Sequence, residues 1–340
     1  MSIMDKLKKN SKLKNTEVLS ESKFFNEKDM VPTDVPMVNV ALSGSIDGGL
    51  APGLTVLAGP SKHFKTSFAL LMAAAYMNKY DDAVMLFYDS EFGSPQSYFD
   101  NFGIDTSRVL HVPITDAEQL KFDLVGQLEG MDKEDDVIVV VDSIGNLASK
   151  KELDDAMNEN SAADMSRAKA FKGLFRMVTP YLAMKNIPLI AINHTYKEIG
   201  LFPKDVVGGG TGIYYSANTI WIIGRRQNKT GTEVTGYDFV IKVEKSRYVK
   251  EQSKIPISVS WEGGINEMSG LLDVAMASGH VVKPSNGWYQ KVNEDKKYRL
   301  ADLDKNFWSS ILEDKVFQEF VKKAFTVGAE TVDLGIELEE

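Results

Sequence analysis

The run Gly59-Pro60-Ser61-Lys62-His63-Phe64-Lys65-Thr66-Ser67 joins a short apolar stretch, 54–58, to an Ala-rich one, 68–76. A turn with glycine and proline, a lysine beside a hydroxyl, and a helical pattern after both form the context of a phosphate-binding loop. Backbone N–H groups of the turn and of the first helical turn then point at one spot, where they and the helix dipole favour negative charge. Lys65 would reach the β and γ phosphates of a nucleotide, and Thr66 would ligate Mg2+. One position departs from the general pattern GxxxxGK[ST]: Phe64 stands where glycine is expected, and its Cβ restricts the approach of backbone to phosphate. On this stretch alone, an ordinary strand–loop–helix connection is the plain alternative.

Two carboxylates stand where such chemistry needs them, each just past an apolar run. Asp142-Ser143 follows 137–141, and a carboxylate there can hold Mg2+ through its water shell. Glu91 follows 83–88 through Asp89-Ser90, a place from which it can orient and deprotonate an attacking water, making it the candidate catalytic base. Singly, either could be a cap or turn residue; jointly with the loop they favour a site. A third apolar run ends in Asn193-His194-Thr195, and either Asn193 or His194 could hydrogen-bond a γ-phosphate oxygen and report the nucleotide state. The following 196–213 carries Lys197, Lys204 and Gly208-Gly209-Gly210-Thr211-Gly212 without a regular pattern, a long loop suited to a switch. A second loop of mixed charge with some helical character covers 148–160; a solvated connector is its alternative reading. Lys245 and Arg247, two apart after the strand-like 237–244, share one face. They are either a solvated strand end or, if another copy of the chain packs there, cations that reach its triphosphate as an arginine finger does.

These groups need a scaffold that brings them to one edge. Buried strands are expected at 83–88, 109–112, 137–141 and 188–192. Between them, Thr115-Asp116-Ala117-Glu118 has the spacing of a capping box ahead of a helix, and a second helix over 162–179 must end or kink at Pro180. The alternation predicts an α/β protein whose mostly parallel sheet has helices on both faces, with ligands at the carboxyl ends of the strands. Runs at 219–223, 237–244 and 255–261 have fewer helices between them and should extend the sheet with antiparallel pairing. From 263 short helical pieces around 268–277 and 307–325 mark a small C-terminal module. Residues 1–35 are polar and Lys-rich, with Phe24-Phe25 as the apolar anchor, so they read as an arm or short helix needing a partner surface, or as a solvated tail. The expected division is 1–35, 36–262 and 263–340.

The chain has 340 residues, enough for one large α/β core with attachments. Absence of cysteine excludes disulfides and thiolate zinc sites and suits a reducing cytoplasm, and four histidines leave little for a structural metal. No apolar run approaches a membrane span or a signal peptide. The net charge of −9 argues against a polyanion partner at face value, but the charge is uneven. Residues 1–14 hold five lysines against one aspartate, whereas 324–340 hold five acids and no base. A local basic surface can survive under a negative total.

Taken together, Phe24-Phe25-Asn26-Glu27-Lys28-Asp29, the 59–66 loop, Phe87-Tyr88-Asp89-Ser90-Glu91-Phe92-Gly93, Asn146-Leu147-Ala148-Ser149-Lys150-Lys151-Glu152, Ile192-Asn193-His194-Thr195-Tyr196 and Val243-Glu244-Lys245-Ser246-Arg247 resemble the UvsX branch of RecA-type recombinases from T4-like phages. The similarity runs to about Trp288, and Phe64 looks like that branch's own form of the loop. The resemblance implies a RecA-like ATPase core with an N-terminal polymerisation arm and a small C-terminal module ending in an acidic tail. It implies an ATP- and Mg2+-dependent recombinase that forms helical filaments on single-stranded DNA, pairs it with homologous duplex, and hydrolyses ATP between subunits. By matching position, Glu91 would activate water, Tyr98 would stack on adenine, and His194 would sense the γ-phosphate where bacterial RecA has glutamine. The loops 148–160 and 196–211 would bind DNA, with Lys150, Lys151, Lys197, Phe202, Lys204, Gly208, Gly209, Gly210 and Thr211 as contacts, and Lys245 and Arg247 would be the cations acting in trans. Further partners implied are a phage single-strand-binding protein and a recombination mediator, in the host cytoplasm and with no membrane. Two other readings remain: an assembly factor of the same fold that binds ATP without turning it over, and a ring helicase motor.

Overall fold

Runs of consecutive apolar residues cannot expose either face of a strand to water, so they collect in the middle of a sheet covered on both sides. The computed structural model describes residues 2–13, 16–21, 30–158, 166–198, 200, 203–230 and 233–328. In chain order its strands are β1 (Gly53–Ala58), β2 (Val84–Asp89), β3 (Val109–Pro113), β4 (Val137–Asp142), β5 (Pro188–Asn193), β6 (Thr195–Lys197), β7 (Asp205–Val207), β8 (Thr219–Thr230), β9 (Glu233–Ser246), β10 (Lys254–Ser260), β11 (Gly264–Ile265), β12 (Val281–Ser285), β13 (Trp288–Lys291) and β14 (Lys297–Tyr298). The helices are α1 (Ile3–Asn10), α2 (Pro36–Ser43), α3 (Lys65–Lys79), α4 (Gln96–Asp100), α5 (Ala117–Gly130), α6 (Lys150–Met157), α7 (Ser166–Met184), α8 (Thr211–Ser216), α9 (Leu271–Ala277), α10 (Lys305–Leu312) and α11 (Lys315–Phe325).

The large sheet has the order β11-β10-β9-β8-β1-β5-β4-β2-β3. From β8 to β3 every pairing is parallel, and β9, β10 and β11 extend it antiparallel. Alternate residues of each inner strand serve the two faces. Phe87, Ile138, Val140 and Ile190 pack with α2 and α3 on one face, whereas Leu86, Val139, Val141 and Leu189 pack with α5 and α7 on the other. This is the expected α/β architecture, and β1, β2, β4 and β5 all end at one edge. The C-terminal module adds a three-stranded sheet, β12-β13-β14, to the helices read from sequence. Its Phe307, Trp308, Phe317 and Phe325 join the same apolar cluster as α3.

Several expectations shift. The cap of α5 is Asp116, whose side chain accepts from Gln119 N; Gln119 Oε1 accepts in return from Thr115 N, and Glu118 instead accepts from Lys150 N. The reciprocal bonds therefore sit one residue later than the Thr115 box. Helix α7 neither ends nor breaks at Pro180 but continues to Met184. Burial of Val178 and Leu182 on the core outweighs the ~3 kcal/mol that an interior proline costs, and Thr179 Oγ1 donates to Phe175 O beside the gap. The stretch 196–213, read as irregular, contains an antiparallel hairpin of β6 and β7 and the start of α8. Val31, Thr33 and Val35, inside the stretch read as the arm, are buried, and Val31 bridges to Leu50. Phe24, Phe25 and the acidic residues from 330 onward lie outside the described residues.

Candidate functional site

The floor of the site is the β1–α3 turn. Gly59 must be glycine because a Cβ there would come within 2.9 Å of Ile223 O on β8. Phe64 precedes α3 with φ of 59°, the left-handed conformation that the motif's usual glycine adopts freely. A side chain there costs about 1–2 kcal/mol, and the ring offsets it. It stacks on Phe239 of β9 with centroids 4.9 Å apart and meets Phe68 edge-on at 5.5 Å. Arg225 of β8 donates to Lys62 O (3.1 Å) while lying over the Tyr237 ring, so a second long-range tie holds the turn. Ser61, Lys62, His63, Phe64, Lys65 and Thr66 line one cleft together with Glu91, Tyr98, Asp142, Ile192 and His194. Gly59 and Pro60 open the turn, and Ser67 lies behind it, its hydroxyl 2.6 Å from that of Tyr98.

Within the cleft, Lys65 is buried and its Nζ donates to Pro60 O (2.7 Å). Thr66 Oγ1 donates to Asp142 Oδ2 at 2.8 Å. The other oxygen, Asp142 Oδ1, is buried without a hydrogen-bond partner. A hydroxyl beside a carboxylate with an unspent lone pair is a hard oxygen set of the kind Mg2+ takes, so these residues fit that ion. Burial pushes the Asp142 carboxyl up to about 6, against the lowering effect of the Thr66 bond. A bound cation would reverse that direction. Burial also holds the Lys65 ammonium below its ordinary value.

Opposite this pair, Glu91 Oε1 accepts from Ser143 Oγ (2.8 Å) and lies 3.4 Å from His194 Nε2. The bond with His194, then that with Ser143, holds the Glu91 carboxyl below its usual range, so it stays ionised as a base must. His194 Nε2 is also 3.1 Å from Asn146 Oδ1. Its ring crowds Gly145, where a Cβ would stand 2.3 Å from His194 Cδ2. Arg167, in the first turn of α7, donates to Ile144 O and Gly145 O and so ties this turn to the helix behind it. Of the two candidates at the end of β5, His194 lines the cleft. Asn193 is spent elsewhere: its Nδ2 donates to Gly208 O (2.7 Å) and its Oδ1 accepts from His194 N (2.8 Å). Gly208 N donates back to His194 O, so the glycine loop is bonded to the residues beside the cleft. Gly209 and Gly210 have φ of 87° and 80°.

The remaining sequence candidates stand apart. Lys245 Nζ donates to Tyr214 O (2.5 Å) and Ala217 O (2.8 Å) at the end of α8, and β9 stops at Ser246, leaving Arg247 exposed beyond it. Neither lines the cleft of its own chain. Lys150 and Lys151 begin α6, capped by a Ser149–Glu152 box, with Lys151 3.7 Å from Asp155. Lys197 pairs with Asp205 across the hairpin (3.0 Å), and Lys204 and Thr211 are exposed. Phe202 lies outside the described residues. Sequence reasoning missed Ser143, Asn146, Arg167, Arg225 and Phe239. The first two neighbour Asp142 in the chain and were within reach of it; the others act from distant elements that no local pattern connects to the loop.

Comparison with known proteins gives matches along most of the chain. The family pattern described as the RecA N-terminal domain matches residues 5–266, and that described as the C-terminal domain of the bacteriophage T4 recombination and repair protein matches residues 268–321. The recombination and repair protein of Enterobacteria phage T4 is 51% identical over 338 residues, covering 96% of this chain and 86% of that one. The protein RecA of Bdellovibrio bacteriovorus is 25% identical over 264 residues (76% and 68% of the two chains), and that of Chloroherpeton thalassium 27% over 271 residues (76% and 74%).

Proposed function

This chain belongs to the RecA family of strand-exchange recombinases, acting in DNA recombination and repair, and on that premise we propose that it hydrolyses ATP with Mg2+ at the β1–α3 cleft and couples this to filament assembly on DNA. The observation that carries the reading is the convergence of Lys65, Thr66, Asp142, Glu91 and His194 on one cleft at the carboxyl ends of neighbouring parallel strands. Mg2+ supplies neutralisation of the phosphate charge when bound. Thr66 and Asp142 hold it, Lys65 reaches the β and γ phosphates, and the turn's N–H groups orient them. Glu91 accepts the proton of the attacking water, and His194 donates toward the γ-phosphate, exchanging its present partners Glu91 and Asn146 for the nucleotide. Because Asn193 and Gly208 are bonded to the His194 backbone, this exchange is felt in the glycine loop. Tyr98, half-buried in the lining of the cleft with its hydroxyl on Ser67, is assigned to stack on the base.

Lys245 and Arg247 are assigned to the site of a neighbouring copy, and the segments 148–160 and 196–211 to DNA. A few cations per subunit, repeated along a polymer, give cumulative and salt-sensitive affinity despite the net negative charge. Double-stranded DNA, a phage single-strand-binding protein and a recombination mediator complete the partners, in the cytoplasm of the host; among the described residues no helix is long and apolar enough to cross a membrane. Electron microscopy of the chain with single-stranded DNA and a non-hydrolysable ATP analogue is the test. Regular helical filaments are expected, together with ATPase activity that rises with single-stranded DNA and is lost in Lys245→Ala while ATP still binds. Closed rings, or a DNA-indifferent monomer, would overturn the reading.

A further inference from the structure

Asp89, the last residue of β2, has no role in the chemistry assigned above, yet the loop that carries Glu91 hangs from it. Its side chain is 6% exposed. Oδ1 accepts from the backbone N–H groups of both Glu91 (3.0 Å) and Phe92 (2.7 Å). Phe92 has φ of 54°, the left-handed region that a non-glycine residue enters only at a cost. The residue is 62% exposed, so packing of the side chain does not hold it there, whereas the bond to Asp89 does. The second oxygen, Oδ2, lies 3.1 Å from Nε2 of His111, which comes from β3 at the edge of the sheet and is stacked on Phe87.

We propose that Asp89 is the positioning residue of the Glu91 carboxylate, fixing the backbone from which that side chain springs, and that His111 sets the orientation of Asp89 from the edge strand. The proposal rests on the reading of Glu91 as the base. A carboxylate that accepts two successive backbone N–H groups dictates the dihedral angles of both residues, so the path from β2 to the Glu91 side chain has little freedom left. Ser143 and His194 then hold the carboxylate itself, from just past the ends of β4 and β5. Position matters here because a displacement of ~1 Å at a reacting group can cost ~100-fold in rate. Asp89 also stands level with Asp142 in the β2–β4 register, so a direct electrostatic role at the metal site is the competing account.

The two accounts separate in the full chain, assayed with single-stranded DNA. Asp89→Ala should lower kcat on the order of 10–100-fold with KM for ATP and the Mg2+ half-saturation within about twofold. Asp89→Asn should recover to within ~3-fold of wild type, because an amide oxygen still accepts both N–H groups. His111→Ala should lower kcat a few-fold, also without change in KM, and it decides the matter if Asp89→Ala does not fold. An Asp89→Asn as impaired as Asp89→Ala, a shifted Mg2+ requirement, or unchanged turnover in both Asp89→Ala and His111→Ala would overturn the proposal. Glu91→Gln separates this from the underlying reading. If it turns over normally, Glu91 is not the base; if it is inactive while Asp89→Ala and His111→Ala work at the wild-type rate, only the positioning role fails.

Discussion

In the cleft, Lys65 at the start of α3 and Asp142 and Ser143 at the end of β4 are buried, and Thr66 and Asp142 stand 2.8 Å apart. On α6 and on the β6–β7 hairpin, Lys150, Lys151, Lys197 and Lys204 are exposed, and the ion pairs there join near neighbours in the chain. The first region has its geometry already set and desolvated, which suits chemistry that depends on preorganised charge. The second offers solvated cations whose effect is additive and screened, which suits a long polyanion read without regard to sequence. The link between them is a handful of bonds around Asn193, His194 and Gly208.

Substitutions that act on one region and spare the other test this contrast. Lys65→Ala should have the largest effect, abolishing ATP hydrolysis by on the order of 10^3-fold with the protein still folded, as measured by phosphate release. Asp142→Asn probes the desolvated charge itself. Burial raises the folded-state value to about 6 from 3.8, so the stability contributed by this group is present in full below the unfolded value and is lost as pH rises through about 6. With Mg2+ removed by chelation, urea unfolding of variant and wild type should coincide near pH ~4 and separate above pH ~6, the variant being more stable by up to ~3 kcal/mol. A constant difference across that range would mean the carboxylate is not desolvated in solution.

Phe64 separates ring packing from backbone strain. Phe64→Ala loses the stacking on Phe239 while keeping the left-handed φ and should destabilise by ~2 kcal/mol in thermal or urea unfolding. Phe64→Gly loses the same ring but relieves the strain, and should be ~1 kcal/mol better than alanine. Equal stabilities would show that the turn relaxes away from that conformation. The smallest effect is expected in the exposed region. The double variant Lys197→Ala/Lys204→Ala should weaken single-stranded DNA binding ~10-fold at low salt and reduce the salt slope by ~1.4, while ATPase at saturating DNA is retained. A loss of basal ATPase there would join the two regions more tightly than the bonds described here.

Much of the cleft is readable along the chain because each of its parts is local: β1 runs through a short turn into Lys65-Thr66, β4 ends in Asp142, and His194 follows β5, so each strand carries its polar groups near its own end. The open sheet order then brings those ends together, as the alternation of strands and helices predicts. What misleads is whatever depends on partners far along the chain. Phe64 looks like a defect in the motif until β9 supplies Phe239 beneath it, and Pro180 looks like an end or a kink until the core beneath α7 is seen to carry the helix past it. The stretch 196–213 looks irregular because its β6–β7 pairing is too short to show a period. Lys245 and Arg247 look alike in sequence, yet the carbonyl end of α8 binds the half-buried Lys245 while Arg247 is exposed.

The sequence by itself therefore determined the strand ends, the groups they carry and the chemistry open to them, since these follow from hydrophobic runs and from what stands next to them. Only the tertiary structure decided which groups aim those residues: Ser143 and His194 on Glu91, Asp89 under its backbone, and Arg225 and Phe239 behind the turn. The physical reason is that a hydrogen bond or a ring contact is set by proximity in space, and the sheet order places side by side strands that are widely separated in the chain.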